Sequence, residues 1–268
     1  MKEKIIRRLL SLILMIAFWG SEIFKAGICN EENILLKLQN KYLPWKREIK
    51  DIVASEVIEL TSVTMEGKFM QKGEKIRFES NMGKLKIVKF SFNIGIDLFN
   101  TIMIYDGKNA WIVSPILGKK EISSEKSKDY QSRTDWIKSV FNPTAKITGI
   151  ESVDGYPCYV LLPKPDTYPD DKLYFDRENF NLRKISVTSS KNDIVILLSD
   201  FRKFYKDIEI AYHFEIYNDE KLVATVSVTD LKVNQGLSDS LFDINNIEVE
   251  EVNLFKELEK FLKPIDIF

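Results

Sequence analysis

The residue types best suited to nucleophilic or metal chemistry are scarce in this chain. There is one histidine, His213, and there are two cysteines, Cys29 and Cys158. His213 lies in "IAYHFEIYN", an alternating run that reads as a strand, where it would be a surface or half-buried side chain. No Ser-His-Asp or Cys-His arrangement can be assembled around it, and a histidine-based metal site would lack partners. Cys158, in "GYPCYVLLP", reads as a buried free thiol that behaves as a small hydrophobe. Asp166, Asp170 and Asp171 form an acidic turn in "PKPDTYPDDK". Calcium demands about six or more oxygens, so the turn reads as a solvated connection. There is no glycine-rich phosphate loop and no dinucleotide fingerprint. The residues therefore favour binding over catalysis, with no catalytic residue, no metal and no cofactor expected.

The chemistry that remains is apolar. "MIYDGKNAWIVSP" (103–115) reads as two strands around an Asp106-Gly107 turn. A loop at Gly107-Lys108, or a four-residue loop, pairs Ile104 with Trp111. A two-residue loop at Asp106-Gly107 pairs Ile104 with Asn109. In both cases Ile102, Ile104, Trp111 and Val113 share one face, and Met103, Tyr105, Ala110 and Ile112 share the other. A strand with one solvated face should alternate apolar with polar, and this hairpin does not. Either it lies within an ordinary core, or its sheet packs a helix or ligand on one side and protein on the other.

Those strands need a frame, and the ends of the chain bear on where it works. Lys2, Lys4, Arg7 and Arg8 precede "LLSLILMIAFWG" (9–20), an apolar run too short to span a bilayer comfortably. Residues 1–26 read as a secretory signal peptide, with cleavage anywhere from 26 to 29; a retained anchor is the alternative. Lipid attachment at Cys29 is disfavoured by Ile28 just before it. A Cys29–Cys158 disulfide would suit an exported protein. The whole chain has 268 residues, 44% apolar, and a net charge of −1. This leaves no basic footprint for nucleic acid. It also suits a sizeable core.

Residues 30–44 read as a helix, with Ile34, Leu35, Leu38 and Tyr42 on one face and Pro44 closing it. "WKREIKDIVAS" reads as a second short helix. "VIELTSVTMEGKFM" alternates Val57, Glu59, Thr61, Val63 and Met65 against Ile58, Leu60, Ser62 and Thr64. "EKIRFES" sets Ile76 and Phe78 opposite Lys75 and Arg77. In "KLKIVKFSF" the apolar phase slips between Ile87 and Val88, as at a β-bulge. A short helix is expected at 136–141, hairpins at Asp154-Gly155 and at 177–181, and a meander over "IVILLSDFRKF", "IEIAYHFEIYN" and "KLVATVSVTDLKVN". Residues 251–268 end the chain with an amphipathic helix at "LFKELEKFL". Consecutive hairpins flanked by helices imply mainly antiparallel β with helices: a curved open β-barrel covered by a helical lid, as a single domain over 30–250.

"IMIYDGKNAWIVSP", "KITGIESVDGYPCYVLLP", "DKLYFDRENFNLRKISV" and "VNQGLSDSLFDI" together resemble the LolA-like outer-membrane lipoprotein-sorting family over about residues 50–245. The resemblance rests on a DG turn followed by Trp111, a G-x-E-x-x-D-G stretch from Gly149 to Gly155, and a Leu241-Phe242 close. It implies a half-barrel with a helical lid over an apolar cavity that holds the acyl chains of lipoproteins or lipids. The implied role is a periplasmic carrier, a monomer and not an enzyme, loaded by an inner-membrane ABC transporter and emptied by an outer-membrane acceptor. The alternative is a non-transport envelope module, a stress sensor or assembly factor, on the same fold. Phe78, Phe90, Phe92, Ile102, Ile104, Trp111 and Val113 are expected to line the sheet side of the cavity, and Ile34, Leu38 and Tyr42 to cover it. The family has an Arg-Pro step where this chain has "GEKIRFES". Arg77 and Lys75 are thus the candidates for latching the lid.

Overall fold

Tight turns between apolar strands dictate a meander, and the molecule is one. The computed structural model describes residues 30–61, 63–87, 90–92, 100–122, 144–163, 170–189, 192–206 and 208–250. One helix, α1 (Asn30–Glu48), precedes the first strands β1 (Asp51–Leu60), β2 (Val63–Lys72), β3 (Lys75–Ile87), β4 (Phe90–Phe92), β5 (Thr101–Tyr105), β6 (Ala110–Ser114) and β7 (Gly118–Ile122). The second set is β8 (Lys146–Val153), β9 (Tyr156–Leu162), β10 (Lys172–Asp176), β11 (Leu182–Ser189), β12 (Asn192–Tyr205), β13 (Ile208–Asn218) and β14 (Lys221–Val233). All are antiparallel in one sheet ordered β7-β6-β5-β3-β2-β1-β14-β13-β12-β11-β10-β9-β8, with β4 attached to β3. Each half is a sequential meander, and β1 against β14 joins them, with Ile52 opposite Val233 and Leu60 opposite Ala224. The expected antiparallel open sheet is present.

The sheet is strongly curled. Helix α1 packs on both β13 and β8, which lie five strands apart in the sheet order. Laid flat at about 4.8 Å per strand they would be about 24 Å apart, twice the width of a helix at about 10–12 Å. The sheet must wrap around α1 for both contacts to exist. Its concave face is one continuous apolar core. That core runs from Phe78 and Met103 through Ile58 and Phe69 to Leu173, Phe175 and Phe214, with Leu38 and Tyr42 of α1 packed among them.

Several turns sit where the sequence placed them. Tyr105 opposes Ala110 and Ile104 opposes Trp111, and Asp106 N–H donates to the Asn109 carbonyl at 3.1 Å, so the loop is not the one that pairs Ile104 with Asn109. The Asp106 carboxylate accepts from the backbone N–H of Lys108 and Asn109 at 2.7 Å each, and Gly107 supplies φ 99°. Val153 opposes Tyr156 across Asp154 and Gly155, which have φ 50° and 83°. Positive φ at both positions is what a type I′ turn requires.

Other expectations are corrected. Pro44 does not end α1. It removes one backbone donor, and the helix runs on to Glu48. "WKREIKDIVAS" is therefore no second helix: its first residues finish α1, and from Asp51 it is β1. The alternation over "VIELTSVTMEGKFM" is broken by a chain reversal, because Leu60 opposes Val63 on the next, antiparallel strand. Met65 thus shares a face with Ile58, not with Val57. The phase slip at Ile87 is also a reversal, with Ile87 opposite Phe90, and not a bulge. The helices expected at 136–141 and 254–262, the signal peptide and Cys29 lie outside the described residues. Cys158 is a free, buried thiol packed with Val153, Val160 and Tyr174.

Beyond β14 the chain forms a strap of two 3₁₀ turns, Asp239–Phe242 and Ile244–Asn246. Its root is fixed by Asp51, whose carboxylate accepts from the backbone N–H of Gln235 at 2.6 Å, Gly236 at 2.9 Å and Leu237 at 3.2 Å. Asn234 donates to the Glu48 carbonyl at 3.1 Å and accepts from Lys50 N–H at 2.7 Å, which ties the end of α1 to the end of β14. The Asp51→Ala variant is expected to lose about 2 kcal/mol, because three partly buried N–H groups would lose a charged acceptor. Urea denaturation of the two proteins measures this.

Candidate functional site

The site is the concave interior between the curled sheet and α1. Leu38 and Tyr42 are 1% and 5% exposed, and half-buried Ile34 packs against the same core. Facing them from the first half of the sheet are Phe78, Met103, Tyr105 and Ala110, with Ile112 at the margin. From the second half come Ile147, Leu173, Phe175 and Phe214. Alternation explains the set, since residues two apart on a strand share a face and cross-strand partners share it too. The Phe78 ring lies over Gly67. A Cβ at Gly67 would sit 2.9 Å from Phe78 Cε2, so the glycine makes room for the ring.

Of the residues expected to line this interior, Phe78, Ile34, Leu38 and Tyr42 are brought together there. The backbone of Phe90 and Phe92 is described in β4, but their side chains lie outside the described residues. Ile102, Ile104, Trp111 and Val113 stand on the opposite, convex face of the sheet, and this corrects their expected place. They do share a face, as expected, but the strap covers it: Ile104 and Val113 are buried with Ile247, and Ile102 and Trp111 pack with Ile244 and Val249. The hairpin is apolar on both sides because α1 and the core take one face and the strap takes the other. Parity told the two faces apart. It could not tell which one met the helix.

Arg77 and Lys75 are latches, but of the strap and not of the helix. Arg77 Nη1 donates to the Leu241 carbonyl at 2.9 Å, and its Nε donates to Glu79 at 2.6 Å. Lys75 and Lys72 pair with Asp239 at 2.7 and 3.3 Å. Arg77 sits opposite Ile104, on the convex face, so it cannot reach α1.

Sequence reasoning missed what holds the helix. Tyr42 Oη donates to the Phe180 carbonyl at 2.8 Å, and its ring leans on Phe175 with centroids 6.3 Å apart. Lys41 Nζ donates to the Asn179 carbonyl at 2.5 Å and to the side-chain oxygen of Asn181. Asn181 in turn donates to Glu209 at 3.0 Å. Burial pulls the Lys41 amine from 10.5 down to about 8, against the opposing pull of Glu209 and Asp176. Burial pushes the Tyr42 phenol well above its usual value. These contacts fasten the middle of α1 to the β10–β11 turn. The sequence signal for them is slight: an Asn-rich turn and a lysine beside the last apolar residue of the helix face.

Sequence reasoning also missed Glu56. It lies on β1 between Ala54 and Ile58, both in the concave core, and opposite Gly67 and Val228 on the two flanking strands. Only 7% of it is exposed, and its Oε2 has no hydrogen-bond partner. Burial raises its carboxyl from 4.5 to about 8. Charge at an apolar phase of a strand is the signal that could have found it. His213 is half-buried, as expected, with Nδ1 3.1 Å from the Ser227 hydroxyl. No group of metal-ligating side chains occurs among the described residues, and no described helix is long and apolar enough to cross a membrane.

This geometry has solved counterparts. The structure is similar to a DUF1329 family protein from Desulfovibrio piger, with a TM-score of 0.57 at 15% identity over 81% of this chain and 97% of that one. It is also similar to a domain assigned to outer membrane lipoprotein sorting from Vibrio parahaemolyticus, with a TM-score of 0.54 at 14% identity over 78% and 96%. A LolA superfamily protein from Nitrosomonas europaea gives a TM-score of 0.52 at 12% identity over 82% of this chain and all of that one. The fold is LolA-like. No family model matches the sequence, and no curated protein matches it.

Because the folded-state pKa of Glu56 lies above its unfolded value, its contribution to stability is full below about pH 4.5 and is lost as pH rises through about 8. The Glu56→Gln variant is expected to abolish this dependence. Between pH 5 and pH 8.5 the wild type should lose roughly 2–4 kcal/mol more than the variant. Denaturation at the two pH values tests it.

Proposed function

We propose that this protein is a carrier that shelters acyl chains of lipids or lipoproteins in the concave interior, with α1 as a displaceable cover. The observation that carries the reading is the continuous apolar concave face covered by α1, whose described polar attachments are at Lys41, Tyr42 and Glu48. Each methylene moved out of water contributes about 0.8 kcal/mol, so a dozen contribute about 10 kcal/mol before ordering costs. That is enough to hold a chain the protein would otherwise shed. Release then needs a competing apolar site and an inexpensive opening of α1. The similar structures assigned to lipoprotein sorting and the LolA superfamily support the reading at the level of fold. The signal-like residues 1–26 support an envelope location. A membrane transporter as loader and a membrane acceptor as receiver are the partners this role requires.

Organic extraction and mass spectrometry of protein purified from its host is the deciding experiment. Co-purified lipid or acylated peptide is the expected result. A stoichiometric protein partner without any lipid would instead make this an envelope binding module of another kind.

The latch gives a second test. Lys41 docks more easily as a neutral amine, so its cost is present below about pH 8 and relieved as pH rises from 8 towards 10.5. The raised Tyr42 phenol opposes this once free phenols ionise near pH 10. In a Glu56→Gln background, which removes the other interior group titrating near pH 8, release of a fluorescent undecanoyl probe should therefore slow between pH 7.5 and pH 9.5. Tyr42→Phe should speed release several-fold at every pH, and Lys41→Met should remove the pH dependence. Stopped-flow displacement measures all three.

A further inference from the structure

We infer that Glu56 is a polar reader inside the interior, donating a hydrogen bond to the uncharged carbonyl of an ester or amide at the root of an acyl chain. This rests on the carrier reading and deepens it. The residues next to Glu56 on its own face of β1 and directly opposite it on the two flanking strands are apolar or glycine. Ala54 and Ile58 flank it along β1, Gly67 and Val228 oppose it on β2 and β14, and the Phe78 ring stands over Gly67. None of these bears a charge, and no described cation neutralises the carboxyl. Its Oε2 is buried with no partner. A buried polar atom that the protein itself leaves unsatisfied is costly, and it is satisfied when a ligand supplies the missing group. Gly67 matters here because it puts no side chain beside the carboxyl, and the Phe78 ring and the tip of Ile58, which lie over it, are apolar.

The protonation state selects the ligand. Burial keeps the carboxyl neutral at neutral pH, so it offers an O–H donor. A donor in an apolar wall matches an acceptor without charge. A fatty carboxylate would bring an unpaired anion to the same spot. An alkylammonium would bring a cation and draw the proton off Glu56. An ester or amide carbonyl does neither, and it stands where a hydrocarbon chain meets its headgroup.

The test uses the full chain and four matched twelve-carbon probes at pH 7: N-methyl dodecanamide, dodecyl methyl ether, dodecanoate and dodecylammonium. Titration calorimetry is run on wild type, Glu56→Gln and Glu56→Leu. The amide is expected to bind the wild type about tenfold tighter than the ether. That margin should persist in Glu56→Gln, which keeps a donor, and vanish in Glu56→Leu. Equal binding of amide and ether, or a margin that survives in Glu56→Leu, overturns the role of Glu56 while leaving the carrier reading standing. Tightest binding of dodecylammonium or dodecanoate overturns the carbonyl assignment. Failure of all four probes to bind overturns both readings. Glu56→Gln, nearly isosteric, keeps the result interpretable should Glu56→Leu repack the wall.

Discussion

The sheet has to bend far enough for one helix to touch strands that are five apart in its order, and everything else follows from that bend. A sheet of this width laid flat would expose apolar residues on a face no single helix could cover. Curling brings Phe78 of β3 and Phe175 of β10 into the same core as Leu38 and Tyr42. The interior is thereby defined by backbone geometry first and by side-chain identity second. This is how chains of 12–15% identity come to share the architecture. What they have in common is the fold, and many different apolar residues can fill one interior.

The convex face obeys a different logic. A hairpin such as β5–β6 is apolar on both sides, and its outer side would be an exposed greasy patch on a lone half-barrel. The strap takes that role, held by Lys72, Lys75 and Arg77 on one side and rooted at Asp51 on the other. Basic residues next to the apolar patch thus pin its cover. The same pair of positions read as a latch for the helix fails because strand parity sends Arg77 outward with Ile104.

Much of the sheet was legible because turn chemistry and period-two alternation are local. Asp106-Gly107, Asp154-Gly155 and the 177–181 turn were found from a few residues each. The reversal between Leu60 and Val63 was not, since no Gly or Pro marks it in the sequence and the alternation on both sides looks unbroken. The join of β1 to β14 has no local signal at all, because its partners are some 170 residues apart in the chain. The interior was half legible. Phe78, Ile34, Leu38 and Tyr42 follow from facing rules, whereas choosing between the two faces of β5–β6 needed to know where a distant strap lands. Glu56 was hidden by a misplaced boundary, which split it from the strand whose phase makes it unusual.

The β1–β14 seam also sets the order in which the molecule can mature. Until Ala224 to Val233 have emerged and lined up, β1 presents a bare row of amide and carbonyl groups along one side. The first meander must wait in that state through the making of every strand from β2 onward. A chain built this way keeps one ribbon edge open to pairing until its last strand docks.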